Sequence, residues 1–243
     1  MELIGDVAAW FVDPATWSGR NGMLVRLWEH LWISAAALIA SVAIGVPIGL
    51  LIGHTGRWAA GVVAIANIGR AVPSLGFMGL AFILLLPLGL GVGPLPAIIA
   101  LIALGIPPIV VNAYAGVRQI DRELLEAARG MGMREREVLT RVEIPIGLPV
   151  IMAGVRTSAV QIVATTTLAT VVGGGALGEP ILIGFAVSDH VRVVGAALVV
   201  AVLSILTEVA FGRIQAAATS PGLRGPDTTL RPAELGPADT RPV

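Results

Sequence analysis

The chain has 243 residues, 56% hydrophobic and 13% charged, roughly half the charged share of an ordinary soluble domain, a balance that excludes a water-soluble globule. Formal net charge is zero and the six arginines from Arg118 to Arg141 are matched by six acids ending at Glu143, which excludes a phosphate-tracking, nucleic-acid-binding surface. No cysteine is present, so disulfides, thiolate metal sites and cysteine nucleophiles are excluded too.

The N-terminal stretch "MELIGDVAAWFVDPATW" lacks the basic flank and small-residue cleavage site of a signal peptide. Residues 1–23 are therefore expected to be retained as a cytoplasmic or interfacial segment. Apolar runs then predict six spans: Leu27 to Ile52, Trp58 to Gly69, Leu75 to Leu88, Leu95 to Val117, Pro149 to Val172 and Val191 to Phe211. The second, bracketed by Arg57 and Arg70, is short for a crossing that needs about 20 residues; without it there are five. Prolines and glycines in "LPLGLGVGPLP" (Leu86 to Pro96) break the third span from the fourth. Trp28, Trp32 and Trp58 fall near span ends, where indole rings anchor at the headgroup level. Six spans with both termini in the cytoplasm leave only Arg57 and Arg192 outside and Arg156 at a boundary, in keeping with the excess of basic residues on cytoplasmic loops. Five spans would put the N-terminus on the other side.

Between the fourth and fifth spans lies "EAARGMGMREREVLTRVEIP", Glu126 to Pro145. Each charge at the bilayer centre costs about 2.5–3.5 kcal/mol, so this segment is expected outside the hydrocarbon. Asp121 can cap a first helix, Gly130 can stop it, and Leu124, Leu125, Ala128 and Met131 form an apolar stripe along it. After Gly132 a second helix can run toward Pro145, with Glu137 and Arg141 paired at i,i+4.

Polar residues inside spans are the remaining leads. Asn112, Tyr114, Ser158, Gln161, Thr165 and Thr166 are candidates for a transient aqueous pathway, set against the bland alternative that hydroxyls bond back to their own helix. Besides acids at span termini, Glu208 is the one acid within a predicted span, near the cytoplasmic end, where it can reach the interface. Gly173, Gly174 and Gly175, followed by Glu179, predict a break with a re-entrant or interfacial element on the outer side. Residues 215–243, proline-rich from Ser220, are expected to be a disordered tail.

"EAARGMG", nine residues and "VEIP" resemble the EAA signature of ATP-binding-cassette importer permeases, carried here by Glu126, Ala127, Ala128, Gly132, Val142, Ile144 and Pro145. The resemblance implies an all-α polytopic membrane protein with a type I, methionine-permease-like transmembrane domain over 24–214. It also implies coupling helices at 118–146 that dock into a cytoplasmic ATPase: Glu126 at the docking surface, Ala127 and Ala128 allowing close approach, Gly132 in the sharp turn, Pro145 ending the second helix. The stretches "ANIGRAVPSLGFMGL", "IPIGLPVIMAGVRTS" and "GEPILIGF" look most like the osmoprotectant group, which takes up glycine betaine, choline, carnitine and proline betaine. Methionine permeases are the near competitor, and an ion-gradient-driven secondary transporter is the rival from another class.

The partners so implied are ATPase subunits that hold the ATP, a second permease (identical or related), an extracytoplasmic substrate-binding protein and the lipid of a bacterial or archaeal cell membrane, with the EAA loop and C-terminus cytoplasmic. The chain has no lysine and so no GxxxxGK[ST] phosphate loop. It is expected to be a non-catalytic subunit with no cofactor or metal of its own.

Overall fold

The computed structural model describes residues 2–219, and among them every element is helical. In order these are α1 (Glu2–Val12), α2 (Pro14–Trp17), α3 (Met23–Thr55), α4 (Ala59–Ala71), α5 (Ser74–Leu85), α6 (Pro94–Arg118), α7 (Arg122–Gly130), α8 (Glu135–Val138), α9 (Ile144–Thr165), α10 (Gly178–Ala186) and α11 (His190–Ala218). Short 3-10 stretches extend α5 to Leu88 and α9 to Val172. The expected tail from Ser220, with Arg224, Arg231 and Arg241, lies outside the described residues, as does the side chain of Arg70. Residues 215–218, expected to begin that tail, instead finish α11: three consecutive alanines are strong helix formers, and Gln215 Nε2 donates to Pro149 O at 3.0 Å.

All six apolar segments form helices where expected, and α3, α6, α9 with its flanks and α11 are long enough to cross a membrane. The 13 residues of α4 and 12 of α5 reach only about 20 Å and 18 Å at 1.5 Å per residue, against a hydrocarbon core of ~30 Å. Helix directions show how they are used. Gly45, Gly49 and Gly53 of α3 face Ile109, Ala113 and Val117 of α6 in the same order, so α3 and α6 run parallel. Ser158, Gly154 and Gly147 of α9 meet Gly105, Asn112 and Gly116 of α6 in reverse order, and α11 is antiparallel to α9, with Glu208 beside Arg156 and Gln215 beside Pro149.

Because α3 ends where α6 also ends, α4 and α5 together return the chain across the bundle once, broken at Val72-Pro73. The structure thus resolves the six-or-five alternative to five crossings. Residues 2–23 lie at the end opposite α7 and α8, where Trp10 packs on Gly195 near the start of α11. Arg57 moves to the α7 end, with Arg118 to Arg141 and Arg213, while Arg20 and Arg26 join Arg192 at the far end; the arginine asymmetry survives the exchange.

Small residues make this bundle close-packed. A Cβ at Gly49 would stand 2.5 Å from Ala113 Cβ and one at Gly147 2.8 Å from Gly116 O, so both crossings rest on glycine notches of the kind that lets membrane helices pack backbone to backbone. The largest buried cluster joins Ile33 and Ala37 of α3, Met78 of α5, Ala97 and Leu101 of α6 and Ile162 of α9.

Candidate functional site

The charged segment folds as a helix, a tight turn and a second helix. Asp121 caps α7 by accepting from Glu123 N at 2.9 Å, and α7 closes in a Schellman turn, Met133 N to Ala128 O at 3.2 Å and Gly132 N to Arg129 O at 2.9 Å. Gly132 holds φ +87° there, the left-handed conformation in which a Cβ is strained. Arg129 Nε and Nη2 donate to the two Glu135 oxygens at 2.8 and 3.0 Å, locking α7 to α8. Glu137 accepts from Arg134 N at 3.0 Å and pairs with Arg141 at 3.6 Å, the expected i,i+4 contact.

Pro145 does not end the second helix. Leu139 to Glu143 form a π turn that runs directly into α9, and its wider i→i+5 spacing relieves the clash of a proline ring with the carbonyl four residues back. The charged segment therefore continues without a break into α9. Ala128 and Val138 are buried, with Val142 and Ile144 half-buried and Pro145 exposed. The expected apolar stripe divides: Leu124 and Met131 point away from the bundle, Met131 at 78% exposure. With exposed Ala127 they lie at i, i+3 and i+7, one face of α7. Glu126 lines a cleft of about 230 Å³ with Arg118, Arg122 and Arg129 above the ends of α3 and α6.

Two residues the motif does not announce hold this segment to the membrane helices. His54, in the last turn of α3, lies 2.7 Å through Nδ1 from Glu143 Oε2 and 3.4 Å through Nε2 from Glu135 Oε2. Glu143 is only 2% exposed. The chain Glu143–His54–Glu135–Arg129 thus joins α9, α3, α8 and α7. Its sequence signal was a glutamate inside "VEIP", mute without a partner 89 residues away.

The hydrogen bond from Arg129 is the main cause that holds the Glu135 carboxyl below its ordinary 4.5. A lowered pKa means the pair is intact above that value and lost as pH falls through the lowered one. Amide protection of Gly132 to Arg134, normalised for intrinsic exchange, should therefore drop as pH is lowered from neutral through that lowered value, and Glu135→Gln should show the low protection throughout.

The expected pathway residues part company. Ser158 and Thr166 are buried within the chain, bonded to Gly105 O at 2.9 Å and to Ser34 Oγ at 2.9 Å, so they tie helices together. Asn112 bonds back to Pro108 O at 2.8 Å. Tyr114, Gln161 and Thr165 remain half-exposed. At the opposite end Gly173 and Gly175 take φ +78° and +71° in the expected break, and Gly174 is buried beneath them. Arg26 clamps that break, reaching Glu29 at 2.9 Å and Glu179 at 2.5 Å, while Glu29 accepts from Ala176 N at 3.0 Å. Glu208, read as an interfacial acid, instead pairs with Arg156.

A polytopic helical bundle with a protruding, charged helix–turn–helix invites comparison with known proteins. Residues 45–219 match the family described as the binding-protein-dependent transport system inner membrane component. The chain belongs to this family. Among curated relatives of this permease, the carnitine transport permease protein OpuCB of Listeria monocytogenes is 41% identical over 207 residues, covering 85% of this chain and 92% of that one. The glycine betaine/carnitine/choline permease protein OpuCB of Bacillus subtilis is 37% identical over 212 residues, 86% and 95% of the two chains. The permease also shares its fold with an inward-facing structure of the MetNI methionine ABC transporter, at TM-score 0.73 and 24% identity over 82% of this chain and 97% of that one.

Proposed function

We propose that this permease forms half of the translocation pathway of an ATP-driven importer for quaternary-amine osmoprotectants of the betaine, carnitine and choline type. The observation that carries the substrate class is the near-full-length similarity to permeases named for carnitine, glycine betaine and choline. The α7 end faces the cytoplasm, where ATPase subunits bind the ATP; a second permease completes the pathway, and an extracytoplasmic binding protein delivers substrate. The exposed face of Leu124, Ala127 and Met131 seats in the ATPase, and the salt-bridged turn makes α7, α8 and α9 move as one body. Nucleotide state and pathway state are then linked reciprocally. This chain supplies no catalytic residue.

Uptake of labelled glycine betaine, choline, carnitine and methionine into proteoliposomes holding the complete importer tests the substrate class; methionine uptake with no quaternary-amine uptake would reject it. Coupling is tested by Ala127→Asp with Met131→Asp. These exposed changes should leave insertion and thermal stability intact and lower ATP-dependent uptake at least tenfold, because each buries a charge at the docking face. Normal uptake would count against that face as the contact.

A further inference from the structure

The Arg156–Glu208 pair sits where a bilayer is most hostile. Gly154 and Ser158, either side of Arg156, pack at Pro108 to Asn112 and at Gly105 of α6, the middle of a helix that runs from Pro94 to Arg118. Charges at that depth face protein or water, not lipid. Within this chain the two side chains are 37% and 44% exposed, so the remainder of their surroundings comes from water, a ligand or another subunit.

The helix around Glu208 is built for a wet neighbour. Ser204, Thr207, Glu208 and Gln215 fall on one face of α11 by their i, i+3, i+4 and i+11 spacing, on a helix that is otherwise largely apolar. Ser204 and Thr207, both half-buried, donate to Val200 O and Leu203 O at 2.9 and 2.8 Å, which leaves each hydroxyl oxygen able to accept a hydrogen bond. Gly212 keeps the guanidinium plane uncovered: a Cβ there would meet Arg156 Cζ and Nη1 at 3.5 Å.

We propose that this pair is an intramembrane binding site for a zwitterionic substrate, an assignment that rests on the quaternary-amine reading above. A betaine carries a carboxylate and a trimethylammonium group within a few bonds of each other. Arg156 offers a planar donor fork that matches a carboxylate, and Glu208 offers the countercharge for the ammonium. The resident pair shields both charges when the site is empty. Substrate exchanges partners with it, carboxylate onto Arg156 and ammonium onto Glu208, so the count of opposite-charge contacts is kept and no lone ion is stranded in a low-dielectric site. Choline, a cation with a hydroxyl in place of the carboxylate, needs only Glu208, whose second carboxylate oxygen takes the cation while Oε1 keeps Arg156.

The two compounds therefore separate this role from a structural one. In proteoliposomes holding the complete importer, with insertion and subunit assembly measured for each variant, Arg156→Met should lower glycine betaine uptake at least tenfold more than it lowers choline uptake. Glu208→Met should lower both at least tenfold. Arg156→Met with Glu208→Met removes the pair together, the change best tolerated by packing, and should insert normally yet move neither compound. Equal losses of betaine and choline in Arg156→Met, or wild-type uptake of both in the double variant, would overturn the assignment and leave a structural pair. A wild-type importer that moves neither compound overturns the substrate reading itself, and the assignment with it.

Discussion

Gly178→Ala is expected to reduce the folded, membrane-inserted protein at least tenfold. Gly178 opens α10 beneath the 3-10 stretch Thr166–Val172, and a Cβ there would stand 1.7 Å from Thr167 O and 2.6 Å from Thr167 C. These are backbone atoms, so no side chain can turn aside. Overpacking by a single methyl in a well-packed core costs about 1–3 kcal/mol, and a backbone clash this close lies at or above the top of that range. The segment cannot retreat, because Gly174 N donates to Ala169 O at 2.8 Å, Gly93 N to Val172 O at 2.9 Å, and Arg26 and Glu29 hold its other side. Size-exclusion profiles of detergent-extracted protein measure the loss; a wild-type profile for Gly178→Ala would refute this packing. Gly130→Ala, in open space with no Cβ neighbour within 4 Å, is the control and should behave as wild type.

His54→Leu should destabilise the protein by about 3 kcal/mol, since removing one partner of a buried charged hydrogen bond leaves the other unsatisfied. Glu143, 2% exposed, is hydrogen-bonded to His54 at 2.7 Å. Replacing both, His54→Leu with Glu143→Leu, should restore most of the loss, because a well-packed apolar pair of similar size is often as stable as an ionic one. Function should not recover in parallel. The double variant still lacks the bridge from His54 to Glu135 at 3.4 Å, so α8 is no longer tied to α3, and ATP hydrolysis should rise relative to substrate moved. Thermal unfolding in detergent reads the first effect and the ATP-to-substrate ratio the second. Additive losses of stability in the double variant would show that the two residues do not interact.

The charged helix–turn–helix was legible almost residue by residue. Asp121, Gly132 and the Glu137–Arg141 pair act within a few positions of themselves, and capping, left-handed turns and i,i+4 pairs are short-range effects that a sequence states directly. Pro145 misled because its usual effect, ending a helix, was cancelled by a π turn, an irregularity that depends on where α9 is anchored. Ser158 and Thr166 were ambiguous for a related reason: a hydroxyl in an apolar span has the same local pattern whether it faces water or a neighbouring carbonyl, and only helix rotation distinguishes the two.

Composition and hydropathy by themselves determined that this protein lives in a membrane, which segments are apolar helices, and that one charged helix–turn–helix stands outside the hydrocarbon; its motif determined the family. These are properties summed over local windows, and the chain carries them before it folds. Tertiary structure alone decided that α3 and α6 run parallel, that α4 and α5 share one crossing, and that residues 2–23 lie opposite the α7 end. It alone paired Arg26 with Glu179, His54 with Glu143 and Arg156 with Glu208, partners 153, 89 and 52 residues apart. The physical reason is that such pairs depend on the direction, rotation and register of packed helices, which here are set by glycine notches at Gly45, Gly49, Gly53 and Gly147 and have no signature until the helices that fill them are in place.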